Sequence, residues 1–137
     1  MNDIVINKIQ SIQRCIVRAR DELGADPTGF AENYTRQDAA VLNVLRACEQ
    51  SIDLANHLIK TYKMGIPTAS ADSFALLQQQ GVIDDDLRQK LASMVHFRNT
   101  IIHQYQRMDI AIVQAVIKSG LDDLIRLGDN VMAWLSA

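Results

Sequence analysis

Four side chains able to take part in catalysis fall within residues 98–105, which read Arg-Asn-Thr-Ile-Ile-His-Gln-Tyr. Arg98 contributes a permanent cation and Asn99 an amide. His103 contributes an imidazole, a side chain that can act as an acid or as a base, and Tyr105 contributes a phenol. A helix that only packs in a core does not need these groups. Cleavage of a phosphodiester without a metal ion does need them, because it requires an acid or base near neutral pH and a cation that holds the phosphate.

The helical spacing of this segment predicts apolar surroundings for the arginine. At ~100° per residue, Arg98 and Tyr105 lie on the same side of the helix as several core positions. Those positions are Leu87, Leu91 and Ile102. A guanidinium in such a row would be costly to bury unless an anion pairs with it.

The anion that pairs with Arg98 has two candidate sources. Asn99 and His103 lie one turn apart, on a face ~100–140° away from Arg98, and the long arginine side chain can reach an anion that bridges the two groups. That anion would be a phosphate. The second source is an acid of the second helix, where Glu49 and Asp53 lie one turn apart beside the apolar seam.

Apolar residues at helical spacing predict an all-α fold, an antiparallel bundle of four long helices and one short helix. The chain is expected to form a single domain over residues 1–137, and the apolar seam of the second helix is typical of a subunit interface. The predicted helices cover residues 3–23, 35–64, 73–80, 84–107 and 109–134.

Charge and cysteine content narrow the class of protein. The net charge of -2 argues against a general nucleic-acid binder, so any contact with RNA must be local. Cys15 and Cys48 fall on apolar faces without ligand spacing and are expected to be buried thiols. The start of the chain lacks a basic signal region, and no apolar run approaches the ~18 residues of a membrane span, so a cytoplasmic protein without membrane contact is expected.

The segment from Arg98 to Tyr105 matches the Arg-x-x-x-x-His signature of HEPN domains. With a tyrosine two residues after the histidine, it resembles the HepT-type toxins, formerly called the DUF86 group. The resemblance extends along most of the chain and includes the segments Gly65-Ile66-Pro67, Asp72–Leu77, Gly81-Val82-Ile83 and Met94–Asn99.

This resemblance implies a HEPN fold that forms a homodimer or a ring of dimers, with the motifs of two subunits in one cleft. It implies a metal-independent endoribonuclease toxin of a type VII-like toxin–antitoxin system, acting on RNA such as tRNA, with no cofactor. By position, Arg98 and His103 would be the catalytic pair, with Asn99 in support. Tyr105 would be the residue to which a minimal nucleotidyltransferase antitoxin attaches AMP.

Two other functions are compatible with the same fold. The chain would then be a non-catalytic HEPN module that binds a nucleotidyltransferase and presents Tyr105, or an oligomerisation domain without chemistry. The intact pair of Arg98 and His103 favours the enzyme, because a binding module has no evident need for both groups.

Overall fold

The computed structural model describes residues 2–137, and every regular element in that range is helical. The first four α-helices are α1 (Asp3–Ala25), α2 (Tyr34–Thr61), α3 (Ser70–Gln79) and α4 (Asp85–Gln104). The C-terminal part comprises α5 (Ile110–Ala115), a π-helical turn (Val116–Gly120) and α6 (Asp122–Ser136). Because the junction residues of these three elements keep right-handed helical dihedrals, they form one long helix. The prediction of an all-α fold is confirmed.

Several helix ends differ from the prediction by a few residues, each for a local reason. α2 begins at Tyr34 because the side chain of Asn33 accepts the amide of Arg36 at 3.1 Å and caps the helix. It ends at Thr61, short of the predicted position 64, and Lys63 adopts a left-handed φ of 55°. α4 ends at Gln104, where φ is -141°, and a short 3-10 turn follows over Tyr105–Arg107.

The core lies where α1 and α2 pack along each other and where α4 and α6 close the bundle. A leucine moved from water into such a core stabilises the fold by about 1.5–3 kcal/mol. The leucines with less than 2% exposure lie in α2, α3, α4 and α6, and one more lies between the π-helical turn and α6. They are Leu54, Leu58, Leu77, Leu87, Leu91, Leu121, Leu124 and Leu127.

The π-helical turn is held by a side chain from the first helix. Nε of Arg20 donates to the carbonyl of Ile117 at 3.0 Å, and Nη2 donates to Oδ1 of Asp122 at 2.7 Å. A wide turn disturbs the regular backbone pairing, so an external donor for one of its carbonyls stabilises it. The turn ends at Gly120, and glycine has a low helix propensity.

Both cysteines are buried, Cys15 in α1 and Cys48 in α2, as the sequence predicted. Among the helices of residues 2–137, none combines the length and the apolar character that crossing a bilayer requires.

Candidate active site at the end of the fourth helix

The predicted site lies on the last two turns of α4, and both ends of that helix are defined. At its start, Oδ1 of Asp84 accepts the amide of Leu87 at 2.8 Å. Arg126 of α6 binds the carboxylates of Asp84 and Asp86, each at 2.9 Å. These contacts fix the helix at the end opposite to the site, while its apolar face packs in the core.

Arg98 lies mostly buried between α4, α2 and the start of α3. Its Nη1 donates to Oε1 of Glu49 in α2 at 2.9 Å, and its Nη2 donates to Oγ of Ser70, the first residue of α3, at 2.9 Å. Only 16% of its side chain is exposed, and its buried Nε has no hydrogen-bond partner in the described residues. Of the two acids that the sequence offered, the structure pairs Glu49 with Arg98 and leaves Asp53 exposed on the next turn.

The charges of Arg98 and Glu49 lie close enough to Cys48 to influence the pKa of its thiol. Burial raises the pKa of this thiol to about 12, with a further increase from the charge of Glu49 and a partial decrease from the charge of Arg98. The thiol is therefore protonated at neutral pH. It is a packing group of the core beside the arginine and not a nucleophile.

His103 and Asn99 have a different environment, since both residues are exposed. His103 lines a surface depression of about 580 Å³ together with Ile102, Gln104, Tyr105, Gln106 and Arg107. Arg98 is not among the residues that line this depression. Within one chain, the two members of the predicted catalytic pair thus lie in different surroundings.

The isoleucines beside His103 correct one detail of the helical-wheel prediction. Ile102 was placed on the buried row of Arg98, but it is 53% exposed, whereas Ile101 is 5% exposed. The core side of α4 has turned toward Ile101 in the last turn before the helix ends, so Ile102 faces solvent. An apolar side chain is therefore exposed directly beside the imidazole.

Tyr105 also departs from the prediction, because it lies beyond α4 and not on the same helical row as Arg98. It opens the 3-10 turn, and its hydroxyl donates a hydrogen bond to Oδ1 of Asp38 in α2. Burial, the hydrogen bond to Asp38 and the charge of that acid together raise the pKa of Tyr105 to about 12.

Sequence reasoning missed two contacts of the site. The sequence singled out neither Asp38 nor Ser70 as a residue of the site. No local pattern links Asp38 to Tyr105, which follows 67 residues later, or Ser70 to Arg98. A helical period identifies a face of one helix, but it does not say which residue of another helix meets that face.

The bundle and the site together define a protein of the HEPN class. A solved structure described as a tri-AMPylated Shewanella oneidensis HEPN toxin in complex with MNT antitoxin superposes with a TM-score of 0.91 and is 42% identical, over 97% of this chain and 99% of that one. A toxin–antitoxin structure with AMP-PNP also superposes with a TM-score of 0.91, at 41% identity, over 96% of this chain and 99% of that one.

The chain belongs to the HepT-like ribonuclease family. The family model described as "Ribonuclease HepT-like" matches residues 12–131. A curated relative from Shewanella oneidensis, named mRNA nuclease HepT, is 42% identical over 133 residues, which cover 97% of this chain and 99% of the relative. The resemblance found in the sequence is thereby confirmed, and so is the expectation of a ribonuclease over a module without catalysis.

Proposed function

We propose that the chain is a single HEPN domain and a cytoplasmic endoribonuclease toxin that cleaves RNA without a metal ion, using Arg98 and His103, with Asn99 in support. In this proposal a second copy of the chain completes the site, and attachment of AMP to Tyr105 inactivates it. One observation carries the proposal. His103 and Tyr105 line the same depression at the end of α4, beside the exposed Ile102.

The chemistry uses a nucleophile that RNA supplies itself, its 2′-hydroxyl. The imidazole of His103 takes the proton of that hydroxyl, and the oxygen attacks the neighbouring phosphorus. The bond from phosphorus to the 5′-oxygen breaks, and this leaving oxygen receives a proton from the His103 of a second copy. The expected products are a 2′,3′-cyclic phosphate and a 5′-hydroxyl.

Arg98 has the charge and the free donors to stabilise the phosphate in that step. A guanidinium carries five N–H groups, and the contacts with Glu49 and Ser70 use one on each terminal nitrogen. One N–H on each terminal nitrogen remains for a phosphate oxygen. The two contacts also hold the planar group in one orientation, which lowers the cost of arranging it during reaction.

The separation of Arg98 from His103 within one chain is the reason to expect a dimeric site. A single chain exposes the imidazole and an adjacent apolar side chain, Ile102, of which 53% is accessible to water. A second copy placed over this end of α4 would cover Ile102 and bring a second imidazole to the first. One histidine then serves as base and the other as acid.

Regulation through Tyr105 follows from its place in the same depression. AMP on its hydroxyl would put negative charge and bulk next to His103 and Arg107, where the phosphates of RNA must bind. The relative solved with MNT antitoxin is tri-AMPylated. The partner that we propose for this chain is accordingly a minimal nucleotidyltransferase that uses ATP.

The test is RNA cleavage by the purified chain in the presence of excess EDTA. The name of the curated relative makes mRNA the first substrate to try, with tRNA as the second. The wild type should cleave in EDTA and leave 2′,3′-cyclic phosphate ends. His103→Ala should be slower by about 100-fold or more, the usual contribution of a positioned acid or base.

His96→Ala is the matched control, because His96 is an exposed histidine of the same helix outside the depression. It should cleave as the wild type does. If cleavage stopped in EDTA, the metal-independent mechanism would be ruled out. If the His103→Ala protein were as active as the wild type, the imidazole would have no role in cleavage.

A further inference from the structure

The hydrogen bond between Tyr105 and Asp38 joins two parts of the chain that the ribonuclease reaction does not require to meet. Oη of Tyr105 donates to Oδ1 of Asp38, and both residues line a cavity of about 520 Å³. This volume is within the range of about 300–1,000 Å³ that small-molecule sites occupy. The phenol oxygen is therefore next to a carboxylate and next to open space on the surface of the protein.

The backbone that carries Asp38 is fixed by its own contacts. Nε2 of the preceding residue, the buried Gln37, donates to the carbonyls of Phe30 and Ala31 at 2.7 and 2.9 Å. These bonds tie the first turns of α2 to a second 3-10 turn, Phe30–Glu32, which precedes that helix. A carboxylate on a backbone supported in this way has little conformational freedom to lose when it accepts the hydrogen bond of Tyr105.

We propose that Asp38 is the proton acceptor when AMP is transferred to Tyr105. The inference rests on the proposed function, in which Tyr105 is the acceptor of the nucleotide. In the step, Oη of Tyr105 forms a bond to the α-phosphorus of ATP. The bond from that phosphorus to the oxygen bridging to the β-phosphate breaks, and pyrophosphate leaves. The phenol proton passes to Oδ1 of Asp38 and from there to solvent.

The chemistry of the phenol explains why an acceptor is needed. With a pKa of about 12, Tyr105 is protonated at neutral pH, so the proton must leave while the new bond forms. Protein kinases solve the same problem with an aspartate that accepts the proton of the substrate hydroxyl. Asp38 already accepts a hydrogen bond from the oxygen that would react.

The position of Asp38 predicts which AMP transfers it serves. The first AMP is attached to the phenol oxygen, which the carboxylate contacts. Any further AMP would be attached to a hydroxyl of the nucleotide added before it, beyond the first phosphate and out of reach of Asp38. Loss of the carboxylate should therefore slow the first transfer and leave later transfers unchanged.

The experiment follows AMP transfer by intact-mass spectrometry over time, with the MNT antitoxin of the Shewanella relative, ATP and Mg²⁺. Asp38→Asn should lose its unmodified mass at least about 100-fold more slowly than the wild type, as expected for a missing general base. The rate constants of the later transfers, fitted from the same time course, should match those of the wild type. Asp38→Glu, which restores a carboxylate, should recover part of the rate.

Asp129→Asn is the matched control, since it removes an exposed carboxylate of α6, and it should react at the wild-type rate. Circular dichroism and urea unfolding check that each variant is folded, and Asp38→Ser provides a second substitution if Asp38→Asn unfolds. Equal first-transfer rates in Asp38→Asn and the wild type would overturn the inference. So would an equal slowing of every transfer, because that pattern places the defect in binding of the partner.

Failure of the proposed function has a different signature. Peptide mapping of the wild type would then find no AMP on Tyr105, and both proposals would fall together. If the wild type and Asp38→Asn acquired AMP on Tyr105 at the same rate, only the proposed role of Asp38 would be ruled out.

Discussion

Nη1 of Arg98 lies 2.9 Å from Oε1 of Glu49, and this ion pair joins α4 to α2 beside the predicted site. The two partners differ in exposure, with 16% of the arginine side chain and 45% of the glutamate side chain accessible to water. The cation is therefore the desolvated partner. Removal of the acid would leave a largely buried charge without its counterion.

The substitution Glu49→Gln tests this asymmetry. We expect it to lower the free energy of unfolding by about 1–2 kcal/mol, between the effect of an exposed pair and that of a buried one. Urea unfolding at neutral pH measures the change. Asp53→Asn, one turn further along α2 and exposed, is the control and should stay within about 0.5 kcal/mol of the wild type. Equal stabilities of Glu49→Gln and the wild type would mean that the ion pair orients Arg98 without stabilising the fold.

Arg98→Ala and His103→Ala are both expected to slow cleavage in the proposed mechanism, but they should differ in their effects on stability. Arg98→Ala leaves Glu49 and Ser70 without their partner and should destabilise the fold by about 1–3 kcal/mol. His103→Ala removes an exposed side chain and should change stability by less than about 0.5 kcal/mol. Thermal unfolding of the two variants beside the cleavage assay checks this. A large destabilisation by His103→Ala would show that the imidazole has a packing role.

Most of the fold could be predicted from the helical spacing of the apolar residues and from the residues that typically begin and end helices. The apolar spacing of α1, α2 and α4 predicted helices at the right places, because each helix buries one stripe of its surface. The residues at which the helices begin and end were harder to predict. Several neighbouring residues could each cap a helix, and the sequence does not show that Asn33 is the one that caps α2. The start of α3 at Ser70, three residues before the predicted start, has the same origin.

Of the candidate site, the sequence predicted the positions along α4 but not the contacts that Tyr105 makes beyond the end of this helix. Spacing placed Arg98 on the apolar side of α4 and suggested an acid of α2 as its partner. Tyr105 escaped this reasoning, because α4 ends one residue before it and the change of direction brings its hydroxyl to Asp38. A contact across 67 residues depends on the packing of the whole bundle, which no local pattern encodes.

Cys48 should be inert in the native protein. Its pKa of about 12 leaves almost no thiolate at neutral pH, and its side chain is only 3% exposed. Iodoacetamide at pH 8 should label Cys48 only after the protein is unfolded in urea. Tryptic mass spectrometry of native and unfolded samples measures the labelling. Rapid labelling in the native state would show that α2 opens locally beside the Arg98–Glu49 pair.

Tyr105 should make stability depend on pH in the alkaline range. Its folded pKa of about 12 lies above the value of about 10 for a tyrosine in the unfolded chain. The folded state therefore retains a proton that the unfolded state loses, and stability falls as pH rises between these two values. Tyr105→Phe lacks this group, so the stability of the wild type relative to Tyr105→Phe should be constant below pH 10 and should decrease above it.

Asp38→Asn separates the two causes of that shift. Burial of the phenol, the largest cause of the shift, remains in this variant, while the carboxylate that disfavours the phenolate is gone. The folded pKa should therefore lie below that of the wild type, so the decline should again begin at about pH 10 but end at a lower pH than in the wild type. Urea unfolding across the alkaline range, with each variant compared with the wild type at the same pH, measures both effects. A difference between wild type and Tyr105→Phe that does not change with pH would contradict the raised pKa, and with it the hydrogen bond that presents Oη of Tyr105 to Asp38.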